Sequence, residues 1–213
     1  MLNFGVAAYS ILHQMRILDD RVYRFHPDVV VVTDGRQPEG PIVQHLTRVL
    51  ADRATGTYPE LDSILRRAGM RDFPGRGVPV PTAPLRRVVQ AAGIHARMPE
   101  REVALRAYSA LDEIVAWSLR HIAQQARAHG AVPVFVDGMF PIDSVVSDTP
   151  MMRSARDAGF LVISLAKIWD GQPRDSLRLG AWDNHPNARA MRMIGEGLYR
   201  ELQRHDAELH LFK

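Results

Sequence analysis

Apolar residues recur along this 213-residue chain as short runs alternating with helical stripes, and the order of those blocks predicts an alternating strand/helix protein. Leu2-Asn3-Phe4-Gly5-Val6 opens the chain as a short run, a strand entered midway. Over 10–25 the apolar positions Ile11, Met15, Leu18, Val22 and Phe25 return at helical spacing, with Ser10 placed as the N-cap. His26-Pro27-Asp28 breaks that helix, and Val29-Val30-Val31-Val32 follows. Consecutive β-branched residues between turn signals predict a parallel strand buried on both faces.

Residues 34–100 are the least regular part. Helices are expected over 41–54, with Pro41 in the first turn, and over 58–68. Pro74, Pro79, Pro81 and Pro84 with Gly75 and Gly77 then exclude regular structure, so the segment reads as an insertion, a loop or lid over one end of the sheet. Regularity returns with a long helix over 100–129, carrying Val103, Tyr108, Leu111, Ile114, Val115, Leu119 and Ile122 near one face and stopping at Gly130. Val132-Pro133-Val134-Phe135-Val136 is the next strand, 150–158 the next helix, and 160–165 the next strand. A last helix over 187–205 runs through Met191, Ile194, Leu198 and Leu202. This order predicts a single α/β domain over 1–213, with a parallel sheet and right-handed crossovers.

Composition adds mostly exclusions. The formal charge is +3 and the pI about 9.6, but all basic residues except Lys167 and Lys213 are arginine, scattered among acids. No basic stripe with interleaved aromatics appears, which argues against nucleic acid as a partner. The absence of cysteine removes disulfides, thiol nucleophiles and cysteine-ligated metals, and leaves the compartment open. No apolar run reaches transmembrane length, and the first residues do not read as a secretion signal. Among nine histidines there is no His-x-x-x-His or His-Glu-x-x-His pair, and His121 and His129 stand about 12 Å apart along a helix. Neither a metal nor another cofactor is expected; Gly75-Arg76-Gly77 lies among prolines rather than between a strand and a helix.

The candidate chemistry is at Trp182-Asp183-Asn184-His185-Pro186-Asn187, where a strand-to-helix loop should end. A carboxylate two residues from an imidazole can hold one ring nitrogen and leave the other to take a proton from a nucleophile. The competing reading is a helix N-terminus capped by Asp183 or Asn184, with His185 merely exposed. In an open parallel sheet the loops after Gly5, Val32, Val136 and Leu165 should share one rim with this cluster. There, small residues up to Ala8 would let backbone N–H groups approach an oxyanion, and Gly35 and Gln37 would supply a backbone and a side-chain donor. Tight strand–helix packing and an ordinary Asp-Gly turn explain the same residues without function.

Four blocks together resemble the SGNH/GDSL hydrolase superfamily: 3–9, 26–32, 130–136, and Asp183-Asn184-His185-Pro186-Asn187-Ala188. The resemblance spans nearly the whole chain, and its last block is the most specific. It implies a flavodoxin-like three-layer α/β/α sandwich and a Ser-His-Asp triad acting on esters, with an oxyanion hole made by the serine N–H, a glycine N–H and an asparagine side chain. On this sequence His185 falls on the base and Asp183 on its acid, with Trp182 where the commonest form of the motif carries the acid. Ala8 falls on the oxyanion glycine, and Gln37, with Gly35 beside it, near the asparagine.

The family's Gly-Asp-Ser block precedes the Asn-Phe-Gly strand, and no Gly-Asp-Ser occurs in this sequence. The nucleophile is therefore unassigned, and the family's first strand, which lies inside the sheet, is missing. The expectation is a serine hydrolase of acyl or acetyl esters, with a small-molecule or glycan ester as partner, truncated ahead of its serine and inactive in this form. An open sheet edge would also favour oligomers or aggregation. The alternative is a noncatalytic module that holds a glycan or protein on the same rim.

Overall fold

The computed structural model describes residues 1–5, 9–33, 100–140 and 148–212. The helices expected over 41–54 and 58–68 and the proline-rich stretch lie outside the described residues. The chain divides into two compact units: Met1–Phe4 with Gln14–Arg36 and Leu119–Lys213, and Gly5–His13 with Gln37–Ser118.

In chain order the elements are α1 (Ile11–Ile17), a π-helical turn (Leu18–Val22), a 3-10 turn (Tyr23–Phe25), β1 (Val29–Thr33), α2 (Glu100–Ala128), β2 (Val132–Asp137), α3 (Pro150–Asp157) and β3 (Leu161–Ser164). Two 3-10 turns (Ala166–Trp169 and Arg174–Ser176) lead to β4 (Arg178–Gly180) and β5 (Asp183–Pro186). The chain ends in α4 (Ala188–Arg204) and α5 (Asp206–Leu209). The architecture is mixed α/β, with β1, β2 and β3 side by side in a parallel sheet.

Local chemistry explains most of the boundaries. The α1 stretch ends where His26 turns left-handed, at φ 48°, ahead of Pro27. Thr149 caps α3 by accepting from the Met152 N–H at 3.2 Å, with Pro150 in the first turn where its missing donor costs nothing. Asp19 and His121 pair at 2.8 Å and tie the π-helical turn to α2.

The parallel register aligns Val31 with Val134 and Val32 with Phe135, so alternate side chains point to opposite faces. One face buries Val134, Val136 and Ile163 under Ala190 and Ile194 of α4, together with Leu165, Trp169, Leu177 and Leu209. On the other face Val30, Val32 and Phe135 are buried, and Phe135 meets Phe160 edge-on at 6.2 Å.

Three sequence expectations are corrected. Residues 1–5 are not a strand: no described strand pairs with them, and a strand without a ladder is only an extended chain. Phe4 instead packs its ring 5.9 Å from that of Phe25. β1 is not buried on both faces, because Val31, at the outer strand of the sheet, is 45% exposed. Met191 is exposed rather than inward; the buried stripe of α4 is Ala190, Ile194 and Gly197.

Candidate active site

Asp183 and His185 do not sit at the end of a long loop. They belong to β5 of a short antiparallel hairpin that the sequence did not announce, because its turn is Ala181-Trp182 rather than Asn-Gly or Asp-Gly. Gly180 pairs with Asp183 and Arg178 with Pro186, so two steps along β4 face three along β5. That extra residue is a bulge, a device that re-aims side chains beside it.

Within the bulge Asp183 Oδ1 accepts two hydrogen bonds from His185, one from the backbone N–H at 2.9 Å and one from ring Nδ1 at 2.6 Å. The backbone bond, then the ring bond, hold the Asp183 carboxyl below the usual carboxylate range. An ionised carboxylate only accepts, so Nδ1 carries the proton and the neutral ring keeps its lone pair on Nε2. The His185 side chain is 73% exposed. A tautomerically fixed imidazole open to solvent is suited to accept a proton from a bound reactant.

Asn187 fixes the hairpin to the helix behind it. Its Oδ1 accepts from the Ala190 N–H at 3.1 Å and caps α4, while Nδ2 donates to the carbonyls of Ser176 and Arg178 at 2.9 and 3.2 Å. Its own N–H reaches the Leu177 carbonyl at 2.9 Å. The cap is thus Asn187, not Asp183 or Asn184, and Asp183 remains available to the imidazole. Asn184 Oδ1 accepts from Arg174 and Arg178 at 3.4 and 3.3 Å, on side chains that also border the hairpin.

The hairpin meets the carboxyl end of the sheet. The Leu165 N–H donates to the Asp137 carbonyl at 2.9 Å, joining the ends of β2 and β3. Trp169 Nε1 donates to the Gly138 carbonyl at 2.8 Å, and Gly138, at φ 83°, lies so close to Ala166 that a Cβ there would fall 2.6 Å from its nitrogen. Only glycine fits that turn. The pinned loop brings the Phe140 ring to 6.3 Å from the His185 ring. Of the rim foreseen in the sequence, the ends of β2 and β3 and the Asp183–His185 pair come together.

No protein-family model, curated protein or solved structure matches this chain.

The remaining site candidates divide two ways. Ala8, Gly35 and Gln37 lie outside the described residues. Ser10 is buried, with Oγ 2.8 Å from His13 Nδ1 and its backbone N–H donating to the same nitrogen at 3.2 Å. Burial lowers the His13 pKa and favours the neutral ring that accepts these bonds. Ser10 therefore closes the first turn of α1 through His13, a variant of the capping role the sequence assigns it. Among the described residues no three His, Asp or Glu side chains gather as a metal site requires, and no helix is long and apolar enough to cross a membrane.

Phe140 and Asn187 are the site residues that sequence reasoning missed. Asn187 had a readable signal, since Asn immediately before an amphipathic stripe is a strong cap. Phe140 had none, because its approach to His185 depends on a tertiary contact of the Gly138 turn.

Proposed function

We propose that this chain carries the acid–base half of an SGNH/GDSL-type serine hydrolase of acyl or acetyl esters. The frame is a flavodoxin-like three-layer α/β/α sandwich, and the nucleophilic serine belongs to a Gly-Asp-Ser segment that these 213 residues do not contain. The observation that carries this reading is the 2.6 Å contact between Asp183 Oδ1 and His185 Nδ1 on an open imidazole. The strand order β1-β2-β3 agrees with the last three strands of that frame.

In the reaction, the serine Oγ–H gives its proton to His185 Nε2 as Oγ bonds to the ester carbonyl carbon. The carbonyl electron pair moves onto oxygen, where the hydrogen-bond donors of an oxyanion hole hold the developing charge. Asp183 stabilises the imidazolium, which then protonates the departing alcohol, and a water molecule repeats the sequence to release the acid.

The test joins gene sequence to kinetics. The reading expects an in-frame Gly-Asp-Ser ahead of Met1 and hydrolysis of p-nitrophenyl acetate by the protein that includes it. His185→Ala should reduce kcat on the order of a thousandfold or more, and Asp183→Asn by a comparable factor. The 213 residues alone should hydrolyse the ester no faster than buffer. A stop codon directly upstream, with no hydrolysis by the chain, would instead support the noncatalytic binding module.

A further inference from the structure

The hairpin carries a side chain that folding does not explain. Trp182 occupies the two-residue turn between Gly180 and Asp183 and is 89% exposed. Turns of this length favour Asn and Gly, which adopt positive φ, yet neither Ala181 nor Trp182 has a positive φ. An indole there contributes little to a core, unlike Trp117 and Trp169, which are buried.

The ring nevertheless has a seat. It lies along Gly180, where an added Cβ would be 3.3 Å from the indole Nε1 and 3.5 Å from Cε2. One edge rests on backbone while most of the ring stays open to solvent. Leu179, 62% exposed, extends the apolar surface, and Asp183, the next residue, holds His185.

The surroundings select among ligands. Asn184, Arg174, Arg178 and Asp175 line the base of the hairpin with hydrogen-bonding groups, and Arg178 is already paired with Asp175 at 2.5 Å. An acyl chain gains most in an enclosed apolar trough. An open aromatic face bordered by hydrogen-bonding groups suits a ring with one C–H face and a hydroxylated rim. The π face carries partial negative charge and attracts the slightly positive C–H groups of a pyranose.

We propose that Trp182 is a stacking platform for a pyranose ring, so that the ester presented to His185 is carried by a carbohydrate alcohol. The second clause rests on the ester-hydrolase reading; the stacking site does not.

The test is a fluorescence titration of the whole chain with cellohexaose, xylohexaose and chitohexaose, and in parallel with decanoate. Since Trp182 is the exposed indole and the other two tryptophans are buried, ligand stacking should shift the exposed component of the emission. At least one hexaose should bind, Trp182→Ala should weaken it on the order of tenfold, and Trp182→Phe should keep part of the affinity. No hexaose binding up to about 10 mM, or binding that survives Trp182→Ala, overturns the proposal. Saturation by decanoate alone, lost in Trp182→Ala, overturns it in favour of an acyl subsite. Hexaose binding by this chain, with no ester hydrolysis by the protein that includes a Gly-Asp-Ser segment, would leave the platform standing and remove the ester reading.

Discussion

Asp183 serves two donors from a single oxygen, and this separates its role from that of an ordinary surface acid. Its pKa is lowered, so its contribution to stability is fully present above the usual carboxylate range and is lost as pH falls through the lowered value. Thermal unfolding of wild type and Asp183→Asn should therefore differ by a constant amount near neutral pH and converge in acid. A gap that widened in acid would contradict the assignment. Asp183 and His185 were legible in the sequence because their chemistry is local, two residues apart. Phe140 was not, because its position depends on the backbone of Gly138 packing against Ala166.

At the level of elements, the strands and helices read from periodicity largely stand: α2, β2, α3, β3 and α4 fall within a few residues of their expected bounds. Periodicity failed where an element is too short to show one. β4 has three residues and β5 four, and their pairing is visible only once the bulge is seen. It fails also at residues 1–5, where apolar content predicts a strand although a strand is defined by its neighbour. Asn187 joins the hairpin to α4, and its Nδ2 and Oδ1 together serve three backbone groups. Asn187→Ala should cost about 1–3 kcal/mol in chemical denaturation. Loss of less than about 0.5 kcal/mol would show that the cap is dispensable.

For the whole molecule, the described sheet has three strands, and β1 and β3 each pair with one described neighbour. Val31 on β1 is partly exposed. A parallel edge left open is a template for another chain, and were β1 or β3 left so, sedimentation velocity would show a dimer or larger species whose share grows with concentration. A single monomeric boundary up to about 100 µM would contradict an open edge. Parallel pairing was foreseeable from the valine run and the alternating blocks. The exposure at Val31 was not, because it depends on what covers that face of β1 in the folded chain.

Asp183 fixes His185 with a proton on Nδ1 and a lone pair on Nε2. Nitrogen-15 NMR of the histidine-labelled chain at a pH where the ring is neutral measures this directly. His185 should show the Nδ1–H tautomer with a strongly deshielded proton, and Asp183→Asn should lose that proton signal. An Nε2–H tautomer, or a spectrum unchanged in Asp183→Asn, would contradict it.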